Sequence, residues 1–340
     1  MLHFKKPLIA LCLCLILVPP ACAWNAVGHS LVAKLAYQRL KPEEREQIVV
    51  ILRQHPHAEA YLLADRPANI PAGEWMFMQA ANWSDWIRPP RNFMGSQAQH
   101  PRHKYHRGPW HYVNYPYRSG QTDLTLSEHL PQEVNILTQL AAAAKYAKPS
   151  APADPDPADD ATDATKNRAV RLCWLIHLVG DIHQPCHVTA WVDPVRLPGG
   201  DEGGNKTSLR VDIGAEPTKL HTFWDALLGT DADPDTIDDL AASLLADPKL
   251  TPDQLSEAAN ADFKAWAQES YTLCVDAGYL NGELPIVLWD DYKSGAATIG
   301  DVPILPIGTE KKARTIARRQ IVLAAHRLAD QLRGALEAGN

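Results

Sequence analysis

The sequence predicts an all-α domain, and three observations carry that expectation. Apolar residues recur at helical spacing through residues 31–35, 137–140, 170–179, 240–244, 263–274 and 321–332. Runs that alternate apolar and polar residues are scarce. Apolar residues make up 46% of a 340-residue chain, enough to bury a sizeable core, which excludes wholesale disorder. The one strand signal is a short hairpin formed by 187–192 and 208–213, which bracket a glycine-rich loop at 199–205.

The chain opens with Lys5 and Lys6, an apolar run over 8–18, Pro19-Pro20, and then Ala21-Cys22-Ala23, a small-residue cleavage site. This reads as a signal peptide over 1–23, with a mature domain over 24–340 that begins at Trp24 and is secreted or periplasmic. The apolar run is shorter than the roughly 20 residues a membrane span needs, so no span is expected after cleavage. Pro19 and Pro20 argue against a lipoprotein attached through Cys22. Cleavage removes two positive charges from a formal −7 and leaves −9, a poor balance for gripping duplex DNA by its phosphates. Three bound divalent ions would bring it to about −3 and gather positive charge at one spot, which suits short or flexible anions. Six cysteines fall to three, Cys173, Cys186 and Cys274, and an exported chain can form one disulfide among them, with all three pairings open.

The segment 148–165, rich in Pro, Asp and Ala, has too little apolar content to fold. It reads as a surface loop between two helices of one domain, because residues needed for a single site lie on both sides of it.

The strongest local signal is HLVGDIHQPCH, His177 to His187. His177 and Asp181 are four apart on a segment that reads as helix from about Asn167, so they share a face and can point at one centre. Pro185 must break or bend that helix and turn His187 toward a second position. His183 lies on another face and reads as structural. KLHTFWD repeats the spacing with His221 and Asp225. Two such pairs with His187 exceed what core packing requires, and imidazole nitrogen with carboxylate oxygen suits zinc. Spacing alone reads Trp24 as an aromatic plug, His29 as a helix-surface histidine, Asp85 as a helix-surface carboxylate and His111 as a partly buried aromatic.

WNAVGH, NWSDWIR, WHYVN, HLVGDIHQPCH, GGN and KLHTFWD occur in the order found in the zinc-dependent single-strand nucleases of the S1/P1 type, and the chain resembles a bacterial member over nearly all of its mature length. The resemblance implies the helical fold shared with zinc phospholipase C and a cluster of three zinc ions. Asp85, His111, His177 and Asp181 would hold one ion. Asp181 would bridge to a second, held also by His29 and by the liberated amine and carbonyl of Trp24. His187, His221 and Asp225 would hold the third. The implied activity is hydrolysis of single-stranded DNA, RNA and 3′-mononucleotides to 5′-phosphate or dephosphorylated products by a hydroxide shared between two zincs. Arg88 would meet the phosphate, Asn205 would lie in a loop whose glycines let backbone approach substrate, and Tyr112 and Asn114 would contact a base. A zinc phospholipase C is the enzymatic alternative, and a periplasmic zinc-binding carrier the non-enzymatic one. The other tryptophans read as core, and His55, His57, His100, His103 and His106 as surface histidines of polar loops. The basic stretch 102–107 reads as a solvated loop.

Overall fold

The structure, a computed structural model, describes residues 24–156 and 163–337; the signal segment expected at 1–23 lies outside the described residues. Helices dominate: α1 (Ala26–Arg39), α2 (Pro42–Leu52), α3 (Ala72–Trp86), α4 (Ile136–Tyr146), α5 (Ala164–Ile182), α6 (Leu220–Asp225), α7 (Pro234–Leu245), α8 (Phe263–Leu273), α9 (Trp289–Ser294) and α10 (Thr309–Leu336). Each run of helical spacing falls in one of them. The chain is all-α, as its pattern predicts.

Helix α5 is the axis of the molecule. Every residue from 169 to 182 is buried, the signature of a helix packed on all sides. It lies against α1, α2, α3, α4 and α10, and α10 also covers α1. An axis of this kind tolerates polar residues only where partners reach them, so His177 and Asp181 mark a polar centre inside an apolar frame. The helix starts at an Asp163 cap whose side chain accepts from the Lys166 amide at 3.1 Å. It ends at Ile182, three residues before Pro185, and a 3-10 turn, Pro185–His187, then carries His187 away from the His177 face.

The strands depart from the expected hairpin. Strand β2 (Thr189–Trp191) pairs in parallel with β1 (Tyr115–Tyr117), and β3 (Ser208–Leu209) pairs antiparallel with β4 (Thr218–Lys219). The two segments expected to pair with each other are strands with other partners. Alternation identifies a strand but not its neighbour, and here the neighbours come from outside the bracketed loop. The β1–β2 pairing has a consequence for the site: the Val113 amide donates to the His187 carbonyl at 2.8 Å, which welds the His111 segment to the His187 turn.

One loop expectation also changes. His55, His57 and His103 are buried rather than at the surface. Trp83 donates its indole N–H to His57 Nδ1 at 3.0 Å, and the His55 ring meets Trp83 edge-on at 4.5 Å. Polar neighbours in sequence concealed this, because Trp83 and Tyr105 arrive from elsewhere to cover the rings. The described part of the Pro/Asp/Ala segment is tied down as well: Asp154 pairs with Arg171, and Asp156 accepts from Arg107 at 2.7 Å. Cys173, Cys186 and Cys274 are buried thiols, with the Sγ atoms of Cys186 and Cys274 3.9 Å apart. Among the described residues no helix is long and apolar enough to cross a membrane.

Candidate metal centre

Three segments converge on the polar centre of α5. Helix α1, capped by Asn25 through Val27 N at 3.1 Å, presents His29 one turn in. Gly180 lets that ring lie against α5, since a Cβ there would fall 2.9 Å from His29 Nδ1. The end of α3 brings Asp85 and Arg88, a 3-10 turn (Gly108–His111) brings His111, and α5 itself brings His177 and Asp181.

Asp181 is the hub. Its Oδ1 lies 3.3 Å from His29 Nε2, and its Oδ2 lies 3.0 Å from both His111 Nδ1 and His177 Nε2. Asp85 Oδ2 stands 4.0 Å from His29 Nε2, and the His29 and His177 rings stack at 4.1 Å. Ligand atoms fall into three groups, each mutually within 4.8 Å: His29, His177 and Asp181; Asp85, His111 and His177; His187, His221 and Asp225.

The ring orientations indicate what the groups can hold. His177 donates Nδ1–H to the Ala81 carbonyl at 2.6 Å, His187 to His111 O at 2.7 Å and His221 to Gly203 O at 2.7 Å. A carbonyl only accepts, so in each ring Nδ1 carries a proton and Nε2 faces the centre. Both ring nitrogens of His29, Nε2 of His111 and His187, and Asp181 Oδ1 are buried without a hydrogen-bond partner. Orphaned acceptors of this kind at three adjoining points fit metal ions, and the nitrogen and carboxylate donors fit zinc.

The electrostatics agree. Burial lowers the pKa of His29, His111 and His187, and burial with the neighbouring His187 takes His221 to about 3, so these rings are neutral and able to act as ligands. Burial works against the charged form of Asp181 too, but His177, His111 and His29 outweigh it and hold the carboxyl well below its usual range. Burial lowers His177 as well, yet Asp181 and Asp85 raise it to about 9, so a proton on His177 balances the acids. A divalent ion can displace that proton. Around Asp225 burial prevails, and its carboxyl is pushed well above the usual range despite a hydrogen bond from Gln184. That site needs a cation to stay ionised.

Above the cluster opens a cleft of about 510 Å³, lined by Arg88, Tyr112, Asn114, Asn205, Glu202 and ring edges of His111, His187 and His221. Arg88 is held by Asp85 at 3.2 Å, and Tyr112 is 37% exposed. All four residues expected to touch substrate therefore reach one space. Trp24, the remaining expected ligand, is buried at the start of α1 with its side chain seated against Gly28. The glycines of the 203–205 loop do something other than expected. A Cβ on Gly203, at φ +65°, would sit 2.1 Å from the Cys186 carbonyl, and one on Gly204 would sit 2.9 Å from Leu220. They let the loop press on the protein, and Gly203 O is thereby placed to orient His221.

Two residues of the site escaped the sequence reading. Gln184 donates to Asp225 Oδ1 at 2.7 Å while its own carbonyl accepts from Cys186 N at 2.5 Å, and it is wholly buried. Asp201 anchors the glycine loop, accepting from Trp191 N at 2.8 Å and Tyr279 OH at 2.9 Å, with burial pushing its carboxyl up to about 6. Neither has a ligand's spacing, and each acts through a partner distant in sequence. Gln184→Ala is expected to weaken zinc at His187, His221 and Asp225 by about 10- to 100-fold while sparing the other two groups. Competition against a chromophoric chelator measures this; three unchanged affinities would remove Gln184 from the site.

A family model described as S1/P1 Nuclease matches residues 24–337. A stretch of 139 residues is 32% identical to a protein of Arabidopsis thaliana named Endonuclease 4, and it spans 37% of this chain and 42% of that protein.

Proposed function

The chain belongs to the S1/P1 nuclease family, and from that premise, which carries zinc-dependent hydrolysis of nucleic acid, we propose that it is an exported phosphodiesterase for single-stranded DNA and RNA that also removes the phosphate of 3′-mononucleotides. Processing ahead of Trp24 and release to the periplasm or medium are part of the proposal. The observation that carries it is the set of orphaned donors in three groups lying directly beneath a cleft that holds Arg88 and Tyr112.

His29, Asp85, His111, His177 and Asp181, with the Trp24 amine and carbonyl, would hold two zinc ions that share Asp181, and His187, His221 and Asp225 would hold a third. When bound, such ions supply Lewis acidity and bring the pKa of a bound water toward neutrality. The chain's own residues do the rest. Arg88 presents a planar fork to phosphate oxygens, and its contact with Asp85 fixes where that fork points. Asn205, whose side chain donates to Glu202 O at 3.0 Å, borders the cleft from the loop that Asp201 anchors. Tyr112 offers an aromatic face to a base, and only an unpaired base has a face to offer in return. A duplex keeps its bases stacked, so single strands are preferred.

The test uses mature protein on single-stranded DNA, duplex DNA, 3′-AMP and phosphatidylcholine, each with and without chelator. Cleavage of the first and third, slow attack on the second, none on the lipid, and loss of all activity on chelation with recovery on added zinc are expected. Activity that survives chelation overturns the metal reading, and cleavage confined to lipid transfers the assignment to a phospholipase.

A further inference from the structure

Close in sequence to residues that line the cleft stand cations that its chemistry has not used. The chain is acidic overall, and nearby basic groups are neutralised: Arg88 by Asp85 at 3.2 Å, Lys206 by Glu202 at 2.9 Å and Arg196 by Asp291 at 3.1 Å. Arg91, Lys219 and Lys293 differ, since among the described residues none of them makes an ion pair or a side-chain hydrogen bond. Arg91 lies three residues beyond Arg88, and Lys219 two residues before His221, so each adjoins a residue that lines the cleft.

Trp289 completes the group. Trp24, Trp83, Trp174, Trp191, Trp224 and Trp266 are at most 1% exposed, whereas Trp289, like Trp75 and Trp86, is only partly buried. Its amide donates to the Lys206 carbonyl at 2.8 Å, which ties it to the loop that borders the cleft. The ammonium groups of Lys219 and Lys293 lie 5.9 and 5.6 Å from its ring centre, at the outer reach of a cation–π contact. Neither is pressed onto the ring, so both can swing to a phosphate.

We propose that Arg91, Lys219, Lys293 and Trp289 form a ledge that binds the single strand beyond the nucleotide seated in the cleft. The proposal rests on the nuclease reading above and deepens it. Cations without ion pairs flanking a partly exposed aromatic are the composition of a single-strand site, in which the cations follow the backbone and a base stacks on the ring. Continuity with the cleft favours a polynucleotide over an anionic membrane surface, the other partner for tryptophan set among lysines. A small diester fills the cleft and ends there, while an oligonucleotide extends onto the ledge. Length of substrate thus decides whether these residues matter.

Two zinc-loaded variants test this: Arg91→Ala/Lys293→Ala, which removes two exposed charges, and Trp289→Ala. Kinetics on a short oligo(dT) and on bis(4-nitrophenyl) phosphate are compared across a range of salt. The double variant should raise KM for the oligonucleotide about tenfold at low salt and make its logarithmic salt slope shallower by about 1.4, the value for two lost phosphate contacts on a single strand. Trp289→Ala should raise it about tenfold through lost stacking. Both should leave the small diester unchanged. Equal changes on both substrates, or no change on the oligonucleotide, overturn the ledge, as does a variant that loses only binding to anionic vesicles. Wild-type protein that cuts the small diester but no oligonucleotide overturns the ledge together with the nuclease reading.

Discussion

Asp181→Asn is expected to lower turnover of single-stranded DNA on the order of 10⁴-fold, far more than the roughly 10²-fold expected for Arg88→Ala. Asparagine fills the same volume, so the fold should survive, but the charge at the hub is gone. Asp181 touches His29 through one oxygen and His111 and His177 through the other. An amide would turn a donor toward ring nitrogens that face inward, and two metal positions would lose their shared anion at once. Arg88 contacts Asp85 and would meet phosphate without holding a metal, so its loss weakens substrate contact and leaves the ions in place. The accompanying measurement is zinc content by elemental analysis. It should fall in Asp181→Asn to the ion at His187, His221 and Asp225, and stay full in Arg88→Ala. Equal and mild losses, with full zinc in both, would remove Asp181 from the bridging position.

What could be read from sequence alone follows the distance over which each signal acts. His177 with Asp181, and His221 with Asp225, are legible because a helix turns a spacing of four into a shared face. The break at Pro185 is legible for the same local reason. His29, Asp85 and His111 carry no such mark. They reach Asp181 only because α1, α3 and the Gly108–His111 turn pack around α5, and packing is not written in any short window; motif resemblance supplied them. Gln184 lay in plain view inside HLVGDIHQPCH, yet its task appears only once Asp225 arrives from 41 residues away. The mispaired strands, the buried His55, His57 and His103, and the exposure of Trp289 have the same origin. Periodicity reports which face of an element is apolar, and it does not report what comes to cover that face.

The amino terminus gives the second large effect, because here a single peptide bond separates two chemistries. Mature protein beginning at Trp24 has an α-amine that is neutral above about pH 8 and can be stripped of its proton by a metal below that. Extending it by one alanine converts the amine to an amide nitrogen, which has no available lone pair. The Trp24 side chain should not move, since it is wholly buried and seated against Gly28, where an added Cβ would lie only 2.6 Å from the tryptophan Cβ. His29 and Asp181 would then have to hold their ion with two protein ligands and a weak carbonyl. Zinc content is expected to fall by one ion, and turnover by on the order of 10³-fold. The group at His187, His221 and Asp225 should keep its affinity. Two preparations that differ only in that alanine make the comparison, each released from a cleavable tag. Acid should lower the zinc content of the native preparation, since protons compete with the ion for the amine, and should do less to the extended one. Full zinc and full turnover in the extended protein would show that Trp24 is a plug and that His29 and Asp181 complete their site without it.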